Sequence, residues 1–292
     1  MRNSVSPKST SGLRPPILRD FLDGILAVAF PTECSLCQGE LTSDARGRVC
    51  RLCWASLEPW IGAQCGLCGL PFVSPRALDA QEPRCGECRA HKPAFDAARN
   101  YGLYTGKLRQ AVLRAKFSGD ERLCSHLGEL LAVAWDALPR VAEVDSPLVV
   151  PVPLHSSRRK ERGFNQSELL AAGLVKTLVR RKGGIVPRLA KSFLIRTRAT
   201  TPQTGLSVSA RRENLRGAFE VAKQEEIRGR TIVLVDDVMT TGATLSACAR
   251  TLKRAKVGKV FSLTIARATP QFPDFLLDRS DNTVDGFGSN ST

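Results

Sequence analysis

Two sets of residues in this 292-residue sequence have types and spacing suited to chemistry. The first is the run Asp236-Asp237-Val238-Met239-Thr240-Thr241-Gly242-Ala243-Thr244. A β-branched apolar stretch, Thr231 to Val235, leads into it, and a helical pattern through Leu245, Ala249 and Leu252 follows. The run therefore reads as a tight turn between a buried parallel strand, ending at the two aspartates, and the start of a helix. Unpaired backbone N–H groups and the positive helix end converge at such a turn, which suits a phosphate dianion. Thr240, Thr241 and Thr244 add hydroxyl donors, and Gly242 allows an approach that a Cβ would obstruct. Asp236 and Asp237, at the carboxyl end of the strand, can accept hydrogen bonds from sugar hydroxyls and help hold Mg²⁺ through its waters. The Gly-Lys-[Ser/Thr] ending of a P-loop and a GxGxxG fingerprint are both missing, so neither an NTPase nor a dehydrogenase is supported.

The second set is eight of the ten cysteines, in four CxxC pairs: Cys34/Cys37, Cys50/Cys53, Cys65/Cys68 and Cys85/Cys88. Each pair presents two thiolates from one knuckle, and two knuckles close a tetrahedral Zn²⁺ site. Two structural zinc ions are expected, since four thiolates leave no open position for water. Pairing of neighbours, first with second and third with fourth, is the expected arrangement. Spacing alone leaves a cross-braced pairing of first with third and second with fourth open. Cys124 and Cys248 stand alone in apolar helical patterns and read as small core residues.

The elements that must position these residues follow from the remaining pattern. Residues 1–16 read as a disordered leader without a secretory signal, and residues 17–31 as an amphipathic helix. The apolar stretch Ile17 to Phe30 contains Arg19, Asp20 and Asp23, so no membrane span is expected there and the protein is placed in the cytoplasm. Residues 32–93 form the zinc module, too poor in large apolar side chains to fold without metal. Residues 95–269 alternate strands and helices: helices near Leu108 and Leu123, a strand over Pro147 to Leu154, a helix over Ser167 to Val179, and strands at Ser192 to Ile195, Ala218 to Val221, Thr231 to Val235 and Val260 to Ala266. This is the pattern of a three-layer α/β domain with a mostly parallel sheet. Residues 270–292 read as a disordered polar tail. The formal charge of +15 is concentrated between His155 and Arg216, where fifteen Lys/Arg face three Asp/Glu, a field that attracts polyanions.

The Asp-Asp turn resembles the motif by which type I phosphoribosyltransferases bind 5-phosphoribosyl 1-pyrophosphate (PRPP). That resemblance implies that Met239, Thr240, Thr241, Gly242, Ala243 and Thr244 hold the 5′-phosphate, while Asp236 and Asp237 serve as catalytic carboxylates on the ribose diol, with Mg²⁺ bound alongside PRPP. It further implies that the basic turn after the first core strand, through Leu154, His155, Arg158 and Arg162, holds the pyrophosphate. The long segment Arg196 to Gly217 then supplies a lid, with Arg198, Gln203, Arg212 and Asn214 acting when it closes.

Ribbon and turn on one chain make it similar to the ComF family, of the ComFC type. The likeness also covers Tyr104-Thr105-Gly106-Lys107-Leu108, Lys116-Phe117, Pro151-Val152-Pro153-Leu154-His155 and Arg162-Gly163-Phe164-Asn165-Gln166. The expected fold is a type I phosphoribosyltransferase-like, mostly parallel sheet flanked by helices, behind an N-terminal double zinc ribbon with four cysteines at each metal. Two functions are expected of such a chain. One is an enzyme that transfers the phosphoribosyl group and releases pyrophosphate. The other is a non-catalytic module that binds PRPP or single-stranded DNA in DNA uptake or in regulating nucleotide metabolism. Few aromatic residues are available for base stacking, which counts against tight strand binding. The ribbon is also a candidate docking surface for a DNA-uptake helicase or another protein, with Trp54 and Trp60 either exposed to that partner or packing its small core.

Overall fold

The computed structural model describes residues 33–43, 45–72, 83–139, 146–181, 186–198 and 213–269. The leader, the 17–31 helix, Gln203, Arg212 and the C-terminal tail lie outside the described residues. Five parallel strands form the sheet: β1 (Ala97–Leu103), β2 (Leu148–Pro151), β3 (Arg188–Leu189), β6 (Ile232–Met239) and β7 (Val260–Arg267), in the order β1-β7-β6-β2-β3. Side chains alternate across the sheet, as the pleat requires. Val233 and Val235 enter one core, with Val149, Leu263 and Ile265. Ile232 and Leu234 enter the other, with Leu148, Val150 and Val260.

The first face carries three helices, α3 (Gly106–Phe117), α4 (Glu121–Asp136) and α6 (Gln166–Arg180). Helices α4 and α6 cross where Gly128 meets Gly173. A Cβ on either would strike the other helix's backbone, at the Leu170 or Ser125 carbonyl, so only glycine lets them approach this closely. The second face carries α8 (Ala243–Arg254) and a small antiparallel ribbon of β4 (Leu194–Arg196) and β5 (Phe219–Val221). The short helix α7 (Gln224–Ile227) leads from β5 back to β6.

The cysteine-rich segment does not stand apart from this sheet. Its first half, with helix α1 (Arg51–Ala55), buries Cys34, Val49, Cys53 and Leu57 in the first core. Its second half, with helix α2 (Gly86–Ala90), buries Cys65, Cys68, Cys85 and Cys88 in the second. Between them the chain runs along the free edge of β1. There the Trp60 N–H donates to the Tyr101 carbonyl, and the Ala98 N–H donates to the Leu67 carbonyl, both at 2.7 Å. The Tyr101 hydroxyl adds a bond to the Leu57 carbonyl, and Asn100 Nδ2 one to Gly69 at 3.1 Å. An otherwise open sheet edge is thus covered by the metal-ligand segment.

Several elements differ from the sequence expectation. Strand β1 was not anticipated, and neither was the two-residue edge strand β3. The stretches expected as core strands near Ser192 and Ala218 pair with each other outside the main sheet. Their three-residue length, with exposed and half-buried positions, leaves too little apolar surface for a central place. After β2 the expected basic turn is instead a short helix, α5 (Ser156–Arg162).

Candidate active site and metal centres

The strand carrying the acidic pair does not stop at it. β6 continues through Asp236 and Asp237 to Met239 because β7 keeps pairing with it, Asp236 opposite Thr264 and Met239 opposite Arg267. On its other side, β2 ends at Pro151 opposite Val235. One strand therefore outruns its neighbour, and the two carboxylates stand at the gap, where open α/β sheets take their ligands.

Alternation sends the two carboxylates toward different surroundings. Asp237 forms an ion pair with Lys116 of α3, Nζ to Oδ2 at 3.0 Å, each side chain 19% exposed. Burial alone would lower the pKa of the Lys116 ammonium, but the charges of Asp237 and, beyond it, Asp236 outweigh that and hold it above the usual lysine value. Asp236 accepts hydrogen bonds from Ser167 Oγ at 2.9 Å and from the Asp237 N–H at 3.0 Å. Burial of this carboxyl, with Asp237 beside it, pushes its pKa up to about 7. Ser167 sits in the first turn of α6, whose N-cap Asn165 accepts the Ser167 N–H at 3.1 Å and donates to the Val152 carbonyl at 3.1 Å. The residues Gly163 to Ser167 thus tie the end of β2 to the acidic pair.

Replacing Lys116 by methionine should lower stability by roughly 2 to 3 kcal/mol near neutral pH, since it leaves a poorly hydrated carboxylate without its cation. Adding Asp237→Asn should recover most of that loss. Urea midpoints of the four proteins measure the coupling, and strictly additive losses would show that the pair contributes nothing.

The turn after β6 starts later than the sequence reading has it, beyond Met239. Gly242 is the N-cap of α8, with φ 75° and ψ 9°, a left-handed conformation that disfavours any side chain. A Cβ there would also come within 2.6 Å of the Met239 methyl. Met239, Gly242 and Ala243 are buried, Thr240 is exposed, and Thr241 and Thr244 are half-buried. Thr241 Oγ1 accepts the Ala243 N–H at 3.4 Å.

The other sequence candidates are placed less evenly. His155 is the N-cap of α5, accepting the Ser157 N–H at 3.3 Å, with Arg158 half-buried on that helix. Arg162 donates to Gln166 Oε1 at 3.3 Å and lies over the Phe117 ring, so it is engaged with the start of α6 and the end of α3. Leu154 is half-buried between Pro153 and His155. Arg198 and Asn214 are brought together across the antiparallel ribbon, where Arg198 Nη2 donates to the Asn214 carbonyl at 2.9 Å and to the Arg216 carbonyl at 2.8 Å. Sequence reasoning gave no role to Ser167, Lys116 or Arg196. Arg196 stands over the Phe219 ring, with burial and the nearby Arg158 charge lowering its pKa and Asp236 acting in the opposite sense.

The cysteines gather as neighbouring pairs. Cys34, Cys37, Cys50 and Cys53 form one cluster and Cys65, Cys68, Cys85 and Cys88 another, with the sulfurs of each within 4.8 Å of one another. This excludes the cross-braced alternative. Backbone N–H groups of Leu36 and Cys50 point at Cys34 Sγ, and that of Cys85 at Cys65 Sγ, the donors that thiolate sites place around sulfur. Four thiols this close cannot all ionise without a cation. Hydrogen bonds from Cys68 and Cys88 hold Cys65 far below the ordinary thiol range, and Cys65 and Cys68 push Cys88 far above it. All-sulfur tetrahedral sites of this kind suit Zn²⁺. His91 is in neither cluster, and Cys124 and Cys248 are buried singly in the cores. Among the described residues, no helix is long and apolar enough to cross a membrane.

Comparison with known proteins agrees with this architecture. Residues 25–89 match the double zinc ribbon domain, and residues 132–280 match the phosphoribosyl transferase domain. Competence protein F of Haemophilus influenzae is 31% identical over 241 residues, which cover 82% of this chain and 98% of that protein. The chain belongs to the ComF family. Two further relatives are similar over most of their length. DNA utilization protein YhgH of Escherichia coli K12 is 32% identical over 77% of this chain and 92% of its own. Competence protein ComFC of Bacillus subtilis is 27% identical over 80% and 95% respectively. In this ComF protein the phosphoribosyl transferase match begins within α4, yet β1 and α3 precede it and belong to the same layers.

Proposed function

We propose that this ComF protein binds PRPP at the turn after β6 and transfers its phosphoribosyl group to a nitrogen acceptor. The bond from C1 of the ribose to pyrophosphate breaks with its electron pair leaving on pyrophosphate, and a new C1–N bond forms. One observation carries the reading: β6 outruns β2, placing Asp236 and Asp237 at the gap, and five residues after Asp237 a left-handed glycine opens the first turn of α8. The threonine turn anchors the 5′-phosphate through N–H groups and hydroxyls, and the carboxylates take the ribose diol. Positioning and charge stabilisation then supply most of the rate. Mg²⁺ brought in with PRPP would neutralise pyrophosphate charge, with Asp236 and Asp237 as the nearby acids. The basic helix α5, with Arg158 in its first turn, is the candidate for the leaving pyrophosphate, and Arg198 and Asn214 lie on the ribbon from which a lid would close. Two Zn²⁺ ions, one per cysteine cluster, serve the fold.

The test is incubation of the purified protein with PRPP, Mg²⁺ and a panel of bases and amines. Pyrophosphate release that Asp236→Ala abolishes is the expected result. Failure of PRPP to bind at all by calorimetry would end the reading.

The basic field from His155 to Arg216 favours a second function, binding without chemistry, directed at PRPP or single-stranded DNA in DNA uptake. PRPP binding without turnover, together with strand binding that weakens steeply with salt, would move the assignment there. Leu52 and Ile61, 81% and 93% exposed on the ribbon, are apolar points at which a protein partner of that process would dock.

A further inference from the structure

Arg267, the last residue of β7, is only 6% exposed. No carboxylate pairs with it among the described residues, and its Nε has no hydrogen-bond partner. A buried guanidinium without a counter-charge is costly, so its surroundings must supply one. The second cysteine cluster is within reach to do so, with Arg267 Nη2 4.0 Å from Cys68 Sγ. Four thiolates around one Zn²⁺ carry a formal charge of −2, and they become that counter-charge when the metal is bound.

The same guanidinium reaches the phosphate turn. Nη1 donates to the Met239 carbonyl at 2.8 Å, to the Thr240 carbonyl, and more distantly to Ala268 at 3.5 Å. Because a peptide group is planar and trans, fixing the Met239 and Thr240 carbonyls toward Arg267 turns the N–H groups of Thr240 and Thr241 the opposite way. Those N–H groups are among the donors a phosphate at this turn would use. A cavity of about 420 Å³ borders both centres, lined by Cys68, Cys88, Phe95, Thr240, Gly242 and Arg267.

We infer that Arg267 is a positioning residue that couples the second tetrathiolate centre to the phosphate turn, making that metal a condition for binding a sugar phosphate. The first cluster has no such link, since it packs on the opposite face of the sheet. The inference rests on the PRPP reading for its ligand but not for its geometry, and two measurements keep them apart. In Arg267→Lys the charge beside the sulfurs remains, but the planar fork that holds Nη1 on the two carbonyls while Nη2 faces Cys68 is gone. Two zinc ions per chain should be retained by mass spectrometry. The amides of Ala268 and Ser246, which donate to the Met239 and Gly242 carbonyls, should exchange with deuterium about tenfold faster or more. PRPP affinity by calorimetry should fall by about 10- to 100-fold, the scale of charge-assisted hydrogen bonds. In Cys37→Ser, which disables the first cluster, exchange at those amides should match the parent protein. Unchanged exchange in Arg267→Lys, with both metals in place, overturns the coupling whether or not PRPP binds. Wild-type protein that fails to bind PRPP would overturn the proposed function alone, leaving exchange to decide the coupling.

Discussion

Asp236→Asn is expected to make the protein more stable at pH 8, by about 2 kcal/mol, while weakening PRPP binding by about 10- to 100-fold. The two effects share one origin. Burial, and then the neighbouring Asp237, push the Asp236 carboxyl from an ordinary value of 3.8 up to about 7. The folded protein therefore holds this proton more tightly than the unfolded chain does. Between about pH 4 and pH 7 the folded state binds more protons, so stability falls as pH rises through that window, and it is flat on either side. A shift of this size corresponds to about 4 kcal/mol at most, and burying the polar amide of asparagine in its place costs about half of that. Asparagine keeps the acceptor oxygen for Ser167 Oγ and the Asp237 N–H while removing the charge. Urea denaturation at pH 5 and pH 8 provides the test. The wild type should lose stability between the two, and the variant should lose much less. A variant less stable than wild type at both pH values would remove Asp236 as a strained group. Perturbed acids cluster at functional sites because the charge that strains the empty fold is the charge a ligand can use.

The features readable in the sequence were those whose partners lie close in the chain. CxxC pairs announce knuckles, and a threonine turn between an apolar run and a helical period announces a strand, a tight turn and a helix start, because each is a local geometry. What stayed hidden is held by distant partners. Lys116 sits in a helix that also carries Arg109 and the exposed Arg114, where a lysine reads as a solvated residue, and only the sheet brings it to Asp237 from far along the chain. Strand β1, with the sequence Ala-Ala-Arg-Asn-Tyr-Gly-Leu, has neither alternation nor a β-branched run. It is a strand because β7 pairs with one edge and the zinc segment covers the other. The helix α5 offered no apolar face to read, having no buried residue. Its boundaries come from the His155 cap and from Gly163, whose φ of 80° ends it. The end of β6 was misjudged for a related reason: two acids look like a strand end, yet the ladder with β7 continues past them.

Chelation should strip the two metals in order, the first cluster before the second, and only the second loss should unfold the protein. Cys37 of the first cluster is exposed, whereas all four cysteines of the second are buried. A chelator must reach a metal to exchange it, so two release phases are expected in a chromogenic zinc assay, the faster one abolished by Cys37→Ser. The energetic consequences differ as well. The second cluster lies in the same core as Phe95, Leu234, Leu245 and Leu252, directly beneath the sheet. Structural zinc contributes on the order of 10 kcal/mol to folding in isolated modules, comparable with the whole stability of a typical domain. Its departure leaves thiols and a buried Arg267 without a counter-charge where a closed centre stood. The segment that covers β1 through Trp60 and Leu67 then loses its anchor, exposing a strand edge open to pairing with another chain. Light scattering and loss of near-ultraviolet dichroism should therefore coincide with the slow phase and not with the fast one. Release of both metals at a single rate, or a metal-free protein that keeps its dichroism, would mean that the sheet holds without its covering segment.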